Sequence, residues 1–387
     1  MLQKIELKYD PLDPETLLNP YPIYKKLREN APVYWHEGMK SWVLTRYDDC
    51  KEVLRNHEVF TTDRRRVGVE IPDVRHTVQS LDPPDNIPLR NLLTRAFNSQ
   101  DINNVREKIH VLIKDIFKKH KSINEFDFMR EVSAPLALSM TAITLGVDEP
   151  NLDSFLEISE AITRQMDSGL RPENIEPGNQ AREKLNALVG EWFAAEDRPG
   201  IVSYIRKHAQ NTNVPEHYIR NTTGTMFNAS FGSLYAVFGN VVLALLEHPE
   251  VFDKLNDKSL IDTGVDELIR FDGPAQGTGR IAAKTTKIRD TTIQKGDVIV
   301  VLFAAANRDP EVFPEPDSII LDRSKNPHLG FGWGPHTCVG TFFGKLAIKE
   351  LILCLLEESS RLRLLRRPTR RVTATSRGIE LLPVSFS

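Results

Sequence analysis

Three groups of residues in this chain have types and spacings that can do chemistry. The first is Phe331-Gly-Trp-Gly-Pro-His336-Thr-Cys338-Val-Gly340, with a helical run from Thr341 to about Glu357 directly behind it. Glycines spaced around a tryptophan let the backbone pass close to a flat object, and the thiol is delivered just before a helix. There the helix dipole and unpaired N–H groups favour thiolate, and N–H donors near a sulfur tune a bound iron. Cys338 is therefore a candidate metal ligand beneath a flat group such as haem; the plainer alternative is a small hydrophobic Cys in a glycine turn. The second group is Glu267-Leu-Ile-Arg270, a carboxylate and a guanidinium three apart on one helix face, a pairing that is usually solvated and weak. The third is Ala229-Ser-Phe-Gly232-Ser233-Leu234. A glycine within a helix costs about 1 kcal/mol relative to Ala, so Gly232 marks a need for space, a local opening, or a cost carried by burial.

The elements that must place these groups are mostly helices. Residues 1 to 30 read as Pro-punctuated coil and then an amphipathic helix, Tyr21 to Glu29. Val33-Tyr-Trp35 and Ser41-Trp-Val-Leu-Thr45, joined across Glu37-Gly38, read as a β-hairpin. Asp48 or Asp49 is the expected cap of the next helix, which carries Val53 and Leu54. Thr61 to Ser80, with Arg64-Arg65-Arg66, is irregular, and so long a loop is more often functional than idle. Leu81-Asp-Pro-Pro-Asp85 opens a helix over Ile87 to Phe97. Further helices are expected at about 101–120, 125–146, 151–167 and 178–195, the last two separated by Gly169 to Gly178. Val214 to Glu247 is the longest periodic segment; as one helix it would span roughly 50 Å, and its apolar character on most faces predicts burial. A helix over Val265 to Phe271 ends at Asp272-Gly-Pro274, and Arg280 to Phe303 alternates as strands around a turn at Lys295-Gly296. A Pro-rich meander from Asn307 to Asp322 leads to the Cys loop, and Leu362 to Val384 reads as two or three short strands. No repeat or linker interrupts the chain, so residues 1–387 are expected to form one domain.

Phe331-Gly-x-Gly-x-His336-x-Cys338-x-Gly340 resembles the haem-binding loop of the cytochromes P-450 and fills every position of that signature. The resemblance covers nearly the whole chain and implies the mainly α cytochrome P-450 fold with a smaller β region. It implies haem b, Cys338 as the axial thiolate, and Phe331, Gly332 and Gly340 as parts of its cradle. Glu267 and Arg270 match the family's Glu-x-x-Arg motif, a structural network that Arg323 would complete. The propionate partners it implies are Arg90, Arg280 and His336, with Asn86 where the family usually has a histidine; Asn can donate but carries no charge. Counting back from His248-Pro-Glu250 sets Ala229 to Leu234 against the family's Ala-Gly-x-acid-Thr-Thr. Gly232 then replaces the acid that helps deliver protons to bound dioxygen, Ser233 keeps a hydroxyl, and Ser230 stands where a small residue is usual. Loss of a general acid costs about 10²- to 10⁴-fold where the reaction needs one. The family's distal face would be bordered by residues 64–80, Met166 to Leu170, the long helix, Ala275 to Thr278 and the turn at Thr375-Ser376. Asn228, Ser233, Thr278, Thr375 and Ser376 make that pocket polar, which favours an oxygenated substrate. Arg64 to Arg66 could meet an anionic substrate or an acidic carrier protein, although charge runs are usually solvated faces.

Composition narrows the remaining classes. Hydrophobic residues make up 40% and charged residues 27% of 387, an ordinary globular balance. Fifty Lys and Arg against 53 Asp and Glu give a formal net charge of −3, so no general attraction to nucleic acid is expected. Three scattered cysteines, Cys50, Cys338 and Cys354, form neither a disulfide framework nor a CxxC site and fit a reducing cytoplasm. The N-terminus lacks a signal-like apolar core, and no run of about 18 uncharged apolar residues is evident, so no membrane partner is expected. The reading is a haem-thiolate monooxygenase that hydroxylates or epoxidises a small or medium-sized molecule in bacterial secondary metabolism. Electrons would come from a ferredoxin or flavodoxin, with Arg95, Lys345 and Lys349 adding positive charge on the proximal face. The alternatives are a peroxide-driven or redox-neutral rearrangement or coupling on the same fold, and a haem sensor without turnover.

Overall fold

The long helix runs unbroken from Glu216 to Glu247, and at 1.5 Å per residue its 32 residues extend about 48 Å. The computed structural model describes residues 7–387; the first six residues of the expected N-terminal coil lie outside the described residues. By length and mean hydropathy the long helix is apolar enough to cross a membrane, although Asn228, Ser230, Ser233 and Asn240 interrupt its apolar run, and most of its apolar window is buried inside the molecule. It is the axis of the largest core cluster, where Phe227, Phe231, Phe238 and Val241 meet Phe155, Met129, Leu136 and Leu351. Helices Ala134–Leu145, Ile175–Ala194, Ile261–Asp272 and Thr341–Glu357 pack around it. Gly239 permits one close approach: a Cβ there would fall 2.3 Å from Met129 Sδ.

The smaller β region lies beside this bundle. Val33–His36 pairs antiparallel with Ser41–Leu44, the expected hairpin. Ser41–Leu44 continues parallel to Val298–Val301, which pairs antiparallel with Thr278–Ala282, and Phe60–Thr61 closes the five-stranded sheet. Arg280 is thereby carried on an inner strand. Thr286–Ile288 and Thr291–Ile293 form a separate hairpin.

Several boundaries differ from expectation for identifiable reasons. Arg46, not Asp48 or Asp49, precedes the helix Tyr47–Arg55; the Tyr47 N–H donates 3.0 Å to the distant Asp309 carboxylate, and both aspartates sit in the first turn. The helix expected at 125–146 starts late, because Phe126–Asp127 pairs with Pro383–Phe386 and a π-helical turn, Met129–Ser133, intervenes before Ala134. The helix expected from 178 begins at Ile175, so Gly178 lies inside it, where a Cβ would fall 2.5 Å from Gln165. A helix at Ile201–His208 was not expected. The chain enters it through Gly200, packed so tightly on Gly146 that a Cβ would fall 2.4 Å from the Gly146 Cα. The tail forms four strands in place of two or three: Leu362–Leu364, Thr369–Arg370, Ile379–Leu381 and Pro383–Phe386. The segment 61–80 is not wholly irregular, containing 3-10 turns at Arg64–Val67 and Asp73–Arg75.

Candidate active site

The Cys loop takes its shape from two glycines in the left-handed region, Gly332 at φ +71° and Gly334 at φ +72°. Gly334 also sits against the Tyr47–Arg55 helix, where a Cβ would fall 2.7 Å from the Leu54 carbonyl. After the short turn Gly334–His336 the chain folds back, and the Cys338 N–H donates 2.9 Å to the Phe331 carbonyl. Gly340 directly precedes the helix Thr341–Glu357. Cys338 is exposed, and the rest of the loop from Phe331 to Thr341 is half-buried. Surrounding protein pushes the thiol pKa up, while the Gly340 N–H, the Thr341 hydroxyl and Arg90 pull it down. Burial loosens along one stretch of the long helix, where Asn228, Ala229, Ser230 and Gly232 are half-buried and Ser233 is exposed among mostly buried neighbours.

Whether these residues fit a doubly anionic macrocycle is decided by their polar partners. Arg280 is 4% exposed, yet its guanidinium donates only to Thr278 Oγ1 at 3.4 Å and the Gly279 carbonyl at 2.8 Å. Desolvation pushes its pKa down to about 10, with Asp82 opposing. Arg90 donates to the Thr337 carbonyl. Neither has a carboxylate ion-pair partner among the described residues. Asn86 is 1% exposed with an unpartnered Nδ2. Two poorly compensated cations, one of them acting on the Cys338 thiol, and an orphan amide donor are costly by themselves and suit a group carrying two carboxylates.

His336 differs from its neighbours in this respect. Its Nε2 lies 2.7 Å from Asp82 Oδ1 and 3.3 Å from Thr62 Oγ1, so one ring nitrogen already has a protein partner. Asp82 also accepts from the Thr62 N–H at 3.1 Å, the Thr62 hydroxyl at 2.9 Å and the Thr61 hydroxyl. In the sequence Asp82 read only as a turn residue, and no spacing signals that it meets a histidine 254 positions away.

The charged network comes together as a buried cluster. Glu267 and Arg270 side chains are fully buried and form two bonds of 2.8 Å. Arg323 reaches the same carboxylate at 3.1 and 3.2 Å, Asn326 at 3.1 Å and the Ile320 N–H at 2.8 Å. Arg270 donates further to the carbonyls of Asn307, Pro316 and Ser318, tying the meander to its helix.

Three of the expected pocket segments are drawn together. Ala275 bridges to Ser376, and the Gln276 N–H donates 3.0 Å to the Thr375 carbonyl. Asp167 accepts from the N–H groups of Ala374 and Thr375 at 2.7 and 2.9 Å and from Thr375 Oγ1 at 2.6 Å. The Thr375 hydroxyl is therefore engaged by Asp167, and Thr278 Oγ1 is engaged by Arg280; Asn228 Oδ1 is buried without a partner. Ser230 Oγ lies 3.0 Å from Thr141 Oγ1. A Cβ at Gly232 would make ordinary contact, 3.6 Å, with Ser159 Oγ on the neighbouring helix Leu152–Met166. Of the three cations expected on the proximal face, two are paired: Lys345 with Asp266 at 2.5 Å and Lys349 with Asp262 at 2.6 Å. Arg65 likewise is held by Asp63 and Asp85.

Comparison with known proteins bears on this arrangement. The family model "Cytochrome P450" matches residues 19–362. The biotin biosynthesis cytochrome P450 of Bacillus subtilis is 29% identical over 96% of this chain and 97% of that protein. Cytochrome P450 119 of Sulfurisphaera tokodaii is 30% identical over 84% of this chain and 88% of its own length. The structure of P450BioI in complex with an acyl carrier protein ligated to hexadec-9Z-enoic acid superimposes with a TM-score of 0.83 at 27% identity, covering 96% of this chain and 100% of that one. With a thiol-bearing glycine loop before a helix, a helical bundle with a smaller β region and a family match over most of its length, the chain belongs to the cytochrome P450 family of haem-dependent oxidoreductases, bacterial type.

Proposed function

We propose that this protein is a cytoplasmic haem b thiolate monooxygenase that hydroxylates or epoxidises a small or medium-sized oxygenated molecule in bacterial secondary metabolism. The observation that carries this reading is an exposed Cys338 near the half-buried Arg90, together with the buried Arg280, two guanidiniums without carboxylate ion-pair partners among the described residues. Cys338 would hold the iron, and Arg280, Arg90, Asn86 and the free nitrogen of His336 would hold the propionates. Haem held by a thiolate supplies dioxygen activation and oxygen-atom transfer, because the thiolate pushes electron density toward the iron. Around it, the Glu267 cluster fixes the meander that leads into the Cys loop. Ser233 Oγ is the exposed hydroxyl of the long helix able to hold a proton for transfer, and Gly232 offers no acid to replenish it. Proton delivery then falls to water or to a hydroxyl of the substrate.

Members of the family draw electrons from redox partners, and a ferredoxin or flavodoxin is the proposed donor here. The test is spectroscopic: the dithionite-reduced protein under carbon monoxide should show the strongly red-shifted Soret band of thiolate ligation, and Cys338→His should lose it while Cys50→Ala and Cys354→Ala keep it. An unchanged band in Cys338→His rejects the assignment. Product formed with NADPH, reductase and ferredoxin separates monooxygenation from a peroxide-driven or redox-neutral reaction and from a sensor without turnover.

A carboxylate-bearing or carrier-delivered substrate is favoured by one observation. Arg182 is neighboured by the charge of Arg75, and Arg75 by that of Arg64, yet the hydrogen-bond partners of Arg75 and Arg182 are the neutral Asn179 and Gln165 side chains at 2.8 and 2.9 Å. Desolvation first and Arg75 second push Arg182 down to about 10. The acyl-carrier complex of the similar P450BioI supports the same direction. If this holds, a long-chain carboxylate should shift the haem spectrum at lower concentration than its methyl ester, and Arg182→Gln should remove the difference.

A further inference from the structure

At the amino-terminal end of the long helix, away from the Cys loop in sequence, three metal-ligating side chains converge from two distant segments. Asp73 opens the 3-10 turn Asp73–Arg75, His76 follows it, and His217 lies in the first turn of the long helix. One ligating atom of each lies within 4.8 Å of the others. His76 is 7% exposed, and neither of its ring nitrogens has a hydrogen-bond partner. Its Nδ1 lies 3.6 Å from Asp73 Oδ1, beyond hydrogen-bond reach. The ring packs beside His217 and Tyr218, with centroids 6.0 and 5.0 Å away. A buried imidazole with both nitrogens unpaired forfeits the bonds it would make to water, so the arrangement calls for a ligand.

The backbone at this place is positioned without help from the three side chains. Asn221 Nδ2 donates to the carbonyls of Asp73 and His76 at 2.7 and 3.2 Å, and the Val78 N–H donates 3.1 Å to Thr222 Oγ1. The loop is therefore docked on the helix in advance, and Asp73 and His217, both exposed, are free to rotate. Of the nearby cations, Arg65 acts on His76 and its charge is matched by ion pairs to Asp63 and Asp85, while Arg75 of the same turn donates to Asn179.

We propose that Asp73, His76 and His217 form a site for a divalent transition metal of the zinc class, with two imidazoles, one carboxylate and water completing the shell. Imidazole nitrogens suit zinc, whereas magnesium and calcium demand oxygen. Metal–ligand bonds of about 2.0–2.2 Å need ligating atoms roughly 3.3 Å apart, a modest contraction from the present spacing. The bound ion fastens the segment 73–76 to the long helix and restrains the stretch leading to Asp82, the partner of His336.

The test uses tag-free, haem-loaded protein stripped with chelator and titrated with zinc chloride by calorimetry. One saturable equivalent is expected, with a rise in Tm that excess chelator reverses and magnesium does not reproduce. His217→Ala changes an exposed side chain in the first turn of the long helix, 16 residues before Ser233, and should lower zinc affinity at least about tenfold; Asp73→Asn should lower it less. The proposal is overturned by the absence of saturable binding to the native chain, or by unchanged affinity in both variants.

Discussion

Arg280 and Asp82 show the same physical problem solved in opposite ways. Asp82 is a buried carboxylate surrounded by donors: burial pushes its pKa up, but His336 and the hydroxyls of Thr61 and Thr62 outweigh this and hold it well below the ordinary range. Arg280 is a buried cation with no such company. If it awaits a propionate, Arg280→Leu should fold and keep its secondary structure but copurify with much less haem, read as the haem-to-protein ratio; full occupancy would remove Arg280 from the cradle. For Asp82, a carboxylate more acidic when folded stabilises the fold above its unfolded pKa of about 4, and that stabilisation is lost as pH falls through the folded value. Asp82→Asn should therefore lower Tm at pH 7 and flatten the decline of Tm below pH 4, whereas an unchanged acid limb would show that Asp82 carries none of it. Cys338, Arg270 and Arg323 were legible because each stands in a dense local motif or completes one. Asp82, Asp167 and Asp272 were not, since their partners lie far off in sequence, and Asp82 before Pro83 and Asp272 before Gly273 read as turn residues.

Two glycines of the long helix look alike in sequence and differ in the structure. A Cβ at Gly232 would make ordinary contact with Ser159 Oγ, whereas one at Gly239 would strike Met129 Sδ at 2.3 Å. Gly232→Ala should stabilise the protein by up to about 1 kcal/mol through helix propensity. Gly239→Ala should destabilise it by about 1–3 kcal/mol, because the buried Met129 cannot move away freely. Equal effects in denaturant titrations would refute the distinction. The Ser159 contact also redirects the question of the missing acid: a carboxylate at 232 would point toward Ser159, and Gly232→Asp can be asked for coupling, product per NADPH consumed, beside Ser233→Ala. Substrate-assisted proton delivery predicts a modest loss in Ser233→Ala and no gain in Gly232→Asp. The helix containing Glu267 has a firmer expectation. Removing one member of a fully buried pair leaves the other charge uncompensated at a cost of about 3–5 kcal/mol, so Glu267→Ala or Arg270→Ala should yield little soluble haem-loaded protein. Helix periods were readable over most of the chain; the π-helical turn before Ala134 and the helix behind Gly200 were not, because tertiary pairing and backbone contact set them.

Across the whole molecule, two carboxylates join regions that are remote in sequence. Asp272, at the end of the Glu267 helix, accepts from Tyr21 near the start of the chain and from Arg370 and Arg377 in the tail, while Asn240 of the long helix holds the carbonyls of Asp272 and Arg377. It is a structural hub, since every partner is inside the protein. Asp167 is different: it follows the helix Leu152–Met166 and grips the backbone of Ala374 and Thr375, joining the segment after that helix to the turn that bridges back to Ala275. Arg371 paired with Glu160 adds a second tie between the same two regions. Three backbone or hydroxyl bonds to one carboxylate are strong enough to hold two surfaces together yet few enough to release without unfolding either. Asp167→Ala leaves two backbone N–H groups unpaired and should lower Tm by a few degrees while keeping the reduced carbon monoxide band, and imidazole should enter and leave the haem pocket several-fold faster in stopped-flow absorbance. If the rates do not change while Tm falls, Asp167 is a structural hub like Asp272, and the way into the pocket lies elsewhere.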